Sequence, residues 1–346
     1  MGRGFFPLDQ QLEFWDKNWS EQVAHYAVWL SGLVDFDQAA EILREVGQVS
    51  ISESSVWRLT KKWGEQLLAV EAEEQEKANA TPERQEIATR EVRQAGRMGA
   101  AMDGILIYIR GEEWKEVKVG CLFDVVWLPS LDPQTGEWNE LGHARHNSYT
   151  SHLGGPEEFG RKLWSEAQRR HWTQAWETQV VGDGAAWIWN QVQEYFYDSH
   201  QVVDWFHGKE HLARAANLLH GEATPAAKRW LKEQETVLFQ GHAERIAQTL
   251  TEAAAEHGEV KESLLTEAGY FENNKRRMNY LEMREEGWVI GSGMVESGGK
   301  QFKSRFTGAG MRWSRAGAER LLPIRGAILS KRFHKRWRAA YNSPKN

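Results

Sequence analysis

The chain of 346 residues contains a single cysteine, Cys121. One thiol cannot close an intrachain disulfide, so the sequence points to a reducing compartment and away from disulfide-stapled secreted domains. Long apolar runs are missing as well. Nothing approaches the roughly 18 consecutive apolar residues that cross a bilayer, and the opening "MGRGFFPLDQ" carries no apolar signal segment. A cytoplasmic location with no membrane partner is therefore expected. Neither an internal repeat nor a low-complexity tract is present. What remains, 41% hydrophobic and 27% charged residues, is the composition of a globular protein with room for two or three domain-sized units.

Positive charge is in short supply overall, with a formal net charge of −6, which on its face argues against a polyanionic partner. Its distribution argues the other way. From Lys300 to the end there are thirteen lysines and arginines against one acid, Glu319. Such asymmetry is a footprint of phosphate binding, although a solvated basic helix would look the same.

Residues 1–68 read as a helical region. In "DFDQAAEILREVGQVSISESSVWRLTKKWGEQL" two helical patterns flank "VGQVSIS". Ala39, Ile42, Leu43 and Val46 share a face of the first, and Val56, Leu59 and Trp63 share a face of the second. Gly47 fits a helix stop and Ser52 a helix N-cap. Two short helices across a tight turn, the second bearing Arg58, Lys61 and Lys62, resemble a helix-turn-helix DNA reader, a pattern that many helical hairpins share. Residues 69–97 read as a charged helix and linker, broken at Pro82.

The pattern changes near residue 98. "GAAMDGILIYIR", "EWKEVKVGCLFDVVWL", "TQVVGDG" and "HQVVDWF" read as strands, with helices at "GPEEFGRKLWSEAQRRHW" and "AAWIWNQVQEYF". Adjacent strands followed by alternating strands and helices predict an α+β fold built on a mixed sheet over 98–207. Residues 208–289 read as a helical insertion, and 290–346 as the last part of the core with a basic terminal helix.

Three acids occupy telling positions. Asp103 lies within the first strand before Gly104, Asp183 ends a later strand between Gly182 and Gly184, and Glu296 falls on a helix near the C-terminus. Glycine beside an acid lets a ligand or backbone come close, and strand ends are where open sheets place their sites. Three carboxylates gathered from separate elements repel one another unless cations neutralise them. All-oxygen donors select Mg²⁺ or Mn²⁺ over zinc, and two such ions suit phosphodiester chemistry. Lys300 and Lys303 follow Glu296 at four and seven residues, so all three share a helix face.

The blocks "MDGILIYIRGEEWKEVKVG", "VVGDGAAWIW", "VVDWFHGKEHL", "NYLEMREEGWVIGSGMVESGGKQFKSR" and "TGAGMRWSRAGAERLLPIRGAILSKRF" resemble those of DDE-type insertion-sequence transposases, with the ISKra-type group the nearest likeness. The resemblance runs in order from about residue 98 to 340. It implies an RNase H-like core with Asp103, Asp183 and Glu296 as catalytic residues and ligands of two Mg²⁺ or Mn²⁺ ions. Asp204 and His207 resemble a D-x-x-H signature that supports such sites. DNA partners are implied: terminal inverted repeats, target DNA, and a homodimer assembled on them. Lys300, Lys303, Arg305, Arg312 and Trp313, with Arg58, Lys61 and Lys62, are the expected DNA contacts.

Duller readings stand beside these. "HGKEH" over His207–His211 has the spacing of inverted zinc peptidases, although Gly208 and the preceding strand place His207 at a junction. His143, His146 and His152 in "LGHARHNSYTSH" read as a loop facing solvent or DNA, Asp124 as structural, and Cys121 as a small buried apolar group. Trp187 and Trp189 read as core. An RNase H-like nuclease without strand transfer, and a DNA-binding descendant without catalysis, are the alternative functions.

Overall fold

A computed structural model describes residues 19–80, 96–131, 136–308 and 310–342. The predicted break at Pro82, most of the predicted linker and Lys345 lie outside the described residues. Among those described, no helix is long and apolar enough to cross a membrane.

Among the described residues three helices come first: α1 (Glu21–Ser31), α2 (Phe36–Glu45) and α3 (Glu53–Ala80). Ser52 caps α3 by accepting the Ser55 amide at 3.3 Å, satisfying a donor that has no partner within the helix. Val56, Leu59, Trp63, Leu67 and Val70 form its buried stripe, at the three- and four-residue spacing of a helix face. The stripe continues through residue 68, so α3 runs straight past the expected boundary into the charged segment.

Five strands then form one mixed sheet: β1 (Arg97–Ile109), β2 (Glu113–Leu131), β3 (Trp138–Leu153), β4 (Thr178–Gly182) and β5 (His200–Val203). Their order is β3-β2-β1-β4-β5, with antiparallel pairs joining β1 to β2 and β2 to β3, and parallel pairs joining β1 to β4 and β4 to β5. Helices α4 (Pro156–Arg169) and α5 (Ala186–Tyr195) make the crossovers that parallel strands require. Both cover one face of the sheet. A Cβ at Gly120 would meet Leu163 and Phe159, and one at Gly182 would meet Ile188.

β3 is a correction to the sequence reading, which made "LGHARHNSYTSH" a loop. Its pattern lacks Val and Ile, and only its last third is buried; pairing with the long β2 holds it in the sheet. His146, with φ of 51°, supplies the extra residue where the register slips between Leu122 and Asp124, a β-bulge. The three histidines are not a cluster. His143 meets Ser130 at 2.6 Å, His146 meets Asp124 at 2.8 Å, and burial pushes His152 down to about 4. Asp124 is structural, since Arg170 also holds it at 2.5 Å, and Cys121 is buried.

The helical insertion comprises α6 (Trp205–His220), α7 (Pro225–Phe239), α8 (Ala243–Glu256), α9 (Lys261–Asn274) and α10 (Tyr280–Glu285). The chain returns through Gly287, whose φ of +75° and lack of a side chain let the Trp127 ring lie against it; a Cβ there would sit 2.0 Å from the indole. Three helices close the structure: α11 (Gly293–Phe306), α12 (Arg315–Leu329) and α13 (Phe333–Asn342). α11 and α12 cover the second face of the sheet. The C-terminal helices also pack on α3, with Trp63 stacked on Trp337 at 3.9 Å between ring centres. The first and last segments of the chain therefore share one core.

Candidate functional site

The parallel register of β1 and β4 pairs Met98 with Thr178 and Ala101 with Val181. Carried two residues further, it brings Asp103 level with Asp183. Neighbouring strands lie about 4.8 Å apart, and residues level across a pair point to the same face. That face is the one α11 covers: a Cβ at Gly299 would lie 3.1 Å from Ile105 and 3.6 Å from the Asp103 carboxylate. Gly299 is thus what lets the helix approach the strand. Glu296, one turn earlier, stands over the same strand.

The convergence registers in the electrostatics. The Asp103 carboxyl is raised above the ordinary carboxylate range, first by burial and then by the negative charges of Asp183 and Glu296. The Gly104 amide, donating to it at 2.7 Å, and nearby His207 offset part of that rise. Three other predicted site residues, Asp183, Glu296 and His207, are therefore within electrostatic reach of Asp103.

A second set of contacts positions them. Asp204 is fully buried and N-caps α6, accepting the His207 amide at 2.7 Å. Its other carboxylate oxygen accepts the Ser292 amide, and the Ser292 hydroxyl donates to Glu296 Oε1 at 3.0 Å. One buried acid so ties the β5–α6 junction to the start of the glutamate-bearing helix. Buried Gln179 reinforces the return, bonding the backbone of Val289 in both directions. Ser292, four residues before Glu296, was missed in the sequence, although a hydroxyl at that helical spacing was a visible signal.

Tyr270 was missed as well, and no sequence pattern points to it. Its hydroxyl donates to the Asp183 carbonyl at 2.9 Å, and its ring lies where a side chain at Gly184, φ +100°, would have to go. The ring stacks on His211 at 3.3 Å between centroids, and His211 bonds Glu267 at 2.6 Å. The glycines flanking Asp103 and Asp183 were expected to let a ligand or another backbone come close. They instead admit the protein's own side chains, Glu116 at Gly104 and Tyr270 at Gly184. The same contacts remove His211 from the zinc-peptidase reading.

The carboxylates suit a hard divalent cation in donor chemistry, and Asp103 carries the unfavourable charge that a cation would relieve. Among the described residues no group of three or more His, Cys, Asp or Glu side chains stands close enough to hold one. Glu296, whose side chain is 40% exposed, lies 3.9 Å from Lys300.

The expected DNA contacts divide. Arg58, Lys61, Lys300, Lys303 and Arg312 are exposed, Lys62 is half-buried, and Trp313 is half-buried against Phe306 and Phe36. Arg305 is corrected. It is 2% exposed, and its Nε donates to the Ser31 carbonyl at 2.7 Å between the rings of Phe36 and Trp313. It joins α11 to α1 and cannot serve a duplex backbone. No protein-family model matches this chain, and no curated protein matches it in sequence.

Proposed function

We propose that the protein is a DNA transposase of the DDE type, with an RNase H-like core that cleaves the ends of an insertion sequence and joins them to target DNA. The observation that supports this reading is the placement of Asp103 on β1, with Asp183 just past the end of the parallel strand β4 beside it and Glu296 on the helix that covers the Asp103 face. The motif order, the strand order and the exposed cations beside Glu296 support it.

Two Mg²⁺ or Mn²⁺ ions, held by the three carboxylates when bound, supply neutralisation of the charge that builds up in a displacement at phosphorus. The protein's residues do the rest. β1 carries Asp103, the turn after β4 carries Asp183, Asp204 and Ser292 set Glu296, and Lys300 and Lys303 present cations for the flanking phosphates. In the first reaction a water oxygen bonds phosphorus, the P–O3′ bond breaks, and a 3′-OH is released. In the second that 3′-OH bonds a target phosphorus and a target P–O bond breaks. One phosphodiester replaces another, so joining needs no external energy source. Two ends must be joined, so a homodimer on DNA is the working assembly, in the cytoplasm where the chromosome is reached.

The test is incubation of the purified protein with a duplex carrying the sequences that flank its gene, in Mg²⁺ or Mn²⁺. Nicked and joined products are expected. Nicks without joining of a pre-cut end would identify a nuclease, and DNA binding without nicks in either ion would leave a non-catalytic DNA-binding protein.

Tyr270→Phe offers a finer check. It removes one hydrogen bond worth about 1 kcal/mol and frees the carbonyl of the Asp183 turn. Cleavage should fall about tenfold, with duplex affinity unchanged in an anisotropy titration.

A further inference from the structure

A cleft of about 560 Å³ opens between the start of α3, the end of β1 and the segment before α12. It is a second site. Arg110, at its edge, lies seven residues along the strand from Asp103, roughly 23 Å at the rise of an extended chain. The volume is in the range of small-ligand sites, and the lining combines three kinds of group.

The first is aromatic surface. Trp57 is 48% exposed, and the Trp313 ring borders the same space. The second is cationic. Lys61, Arg110 and Arg312 line the cleft, and among the described residues none of them forms an ion pair, whereas the neighbouring Arg315 and Arg320 are both taken by glutamates. Lys61 stands one helical turn after Trp57, so ring and charge present together. The third is carboxylate, from Asp37 and Glu53, which are acceptors for the exocyclic amino groups of bases. On the floor the buried Nη2 of Arg305 has no acceptor. Met311, whose sulfur lies 4.0 Å from Nη1 of the same guanidinium, lies over that charge and shares the lining of the cleft.

We propose that this cleft binds an unpaired nucleotide of a DNA strand, with its base against the Trp57 indole and its phosphates on Lys61, Arg110 and Arg312. Stacking on an indole with cations tracking the backbone is how proteins hold single strands without reading their sequence. A duplex cannot offer its base faces in this way, so the cleft distinguishes a frayed or overhanging end from a closed one. The proposal rests on the reading that the protein handles DNA, and it adds a preference for ends that are already open.

The test uses the full-length chain carrying Asp183→Asn, to block the proposed chemistry, and two labelled duplexes that differ only in a four-nucleotide single-stranded overhang. Anisotropy at fixed salt gives the ratio of their affinities. We expect the overhang to bind about tenfold tighter, and Trp57→Ala in the same background to bring the ratio near one, with Trp57→Phe restoring most of it. The ratio is the readout, because a variant that merely folds less well weakens both duplexes. Equal binding of the two duplexes, or a preference that survives Trp57→Ala, overturns the cleft assignment. In either case cleavage by the wild-type protein still upholds the transposase reading. If neither duplex binds at all, the reading as a DNA-handling protein falls together with the cleft.

Discussion

Asp183→Ala should abolish metal-dependent strand cleavage, a loss of at least about a thousandfold, while leaving the fold and DNA binding in place. The asymmetry follows from what the side chain does. Within the protein its carboxylate accepts a single hydrogen bond, from the Ala185 amide at 2.8 Å. Removing one such partly exposed acceptor costs about 1 kcal/mol of stability, a shift of a few degrees in melting temperature. In the proposed chemistry it is one of three groups that gather cations at the scissile phosphate. Losing several kcal/mol of charge stabilisation there multiplies through at a factor of ten per 1.4 kcal/mol or so. The substitution also removes a negative neighbour of Asp103, whose carboxyl should fall back toward its ordinary range. Cleavage assays, duplex anisotropy and thermal melting separate the three effects. Retained cleavage would remove Asp183 from the site, and with it the transposase reading.

Much of this arrangement was legible in the sequence because it depends on local pattern. Strands β1, β2, β4 and β5 are rich in Val and Ile, and the α2–α3 turn is marked by Ser52. The acids stand out because each sits beside glycine or at the end of an apolar run. β3 was hidden because a strand held mainly by its neighbour needs little apolar content of its own. The bonds of Asp204 to Ser292 and of Tyr270 to Asp183 were hidden for a different reason. Each contact joins residues about ninety positions apart, and such pairings leave no periodicity to read. Asp204 could be singled out only by its resemblance to a motif, and its buried bond to the Ser292 amide came with the coordinates.

The basic tail shows how composition can mislead even when it is counted correctly. Several of its cations are spent inside the protein. Arg320 pairs with Glu65 at 2.8 Å, and Arg336 with Glu71 and Glu74 at 3.3 and 2.7 Å, all on α3. Arg315 holds Glu112 at 2.5 Å. Arg325 is buried and bonds the carbonyls of Gly32 and Gln301. Part of the excess charge in the tail is thus matched by acids elsewhere in the chain. The exposed cations left for the proposed DNA partner are Lys300 and Lys303 beside Glu296, Arg312 at the cleft, and Lys331, Lys335 and Arg338 on or just before α13.

Glu166→Gln should be the most destabilising single change of a charged residue, at about 3–5 kcal/mol, the usual cost of breaking a buried ion pair by removing one partner. Glu166 is 5% exposed on α4. Arg169 grips it with two bonds, 2.9 and 2.6 Å, and Arg332, just before α13, adds a third at 2.8 Å. Burial alone would push this carboxyl up, but the Arg169 hydrogen bond and the Arg332 charge outweigh it and hold the group down at about 2. The variant keeps the shape and loses the charge, leaving Arg332, whose own pKa burial lowers, without a counter-ion between α4 and the C-terminal helices. The sign of the pH dependence follows. A carboxyl depressed on folding contributes stability that is fully present above its unfolded value near 4.5 and is lost as pH falls toward 2. Urea titrations of wild type and variant should therefore differ most at pH 6 and above and draw together below about pH 4. Replacing Glu166 and Arg332 together by Leu and Met should recover much of the loss, because the stranded charge is then gone. A single variant as stable as wild type at neutral pH would mean that packing alone joins α4 to the C-terminal helices, and that the ion cluster only decorates the contact.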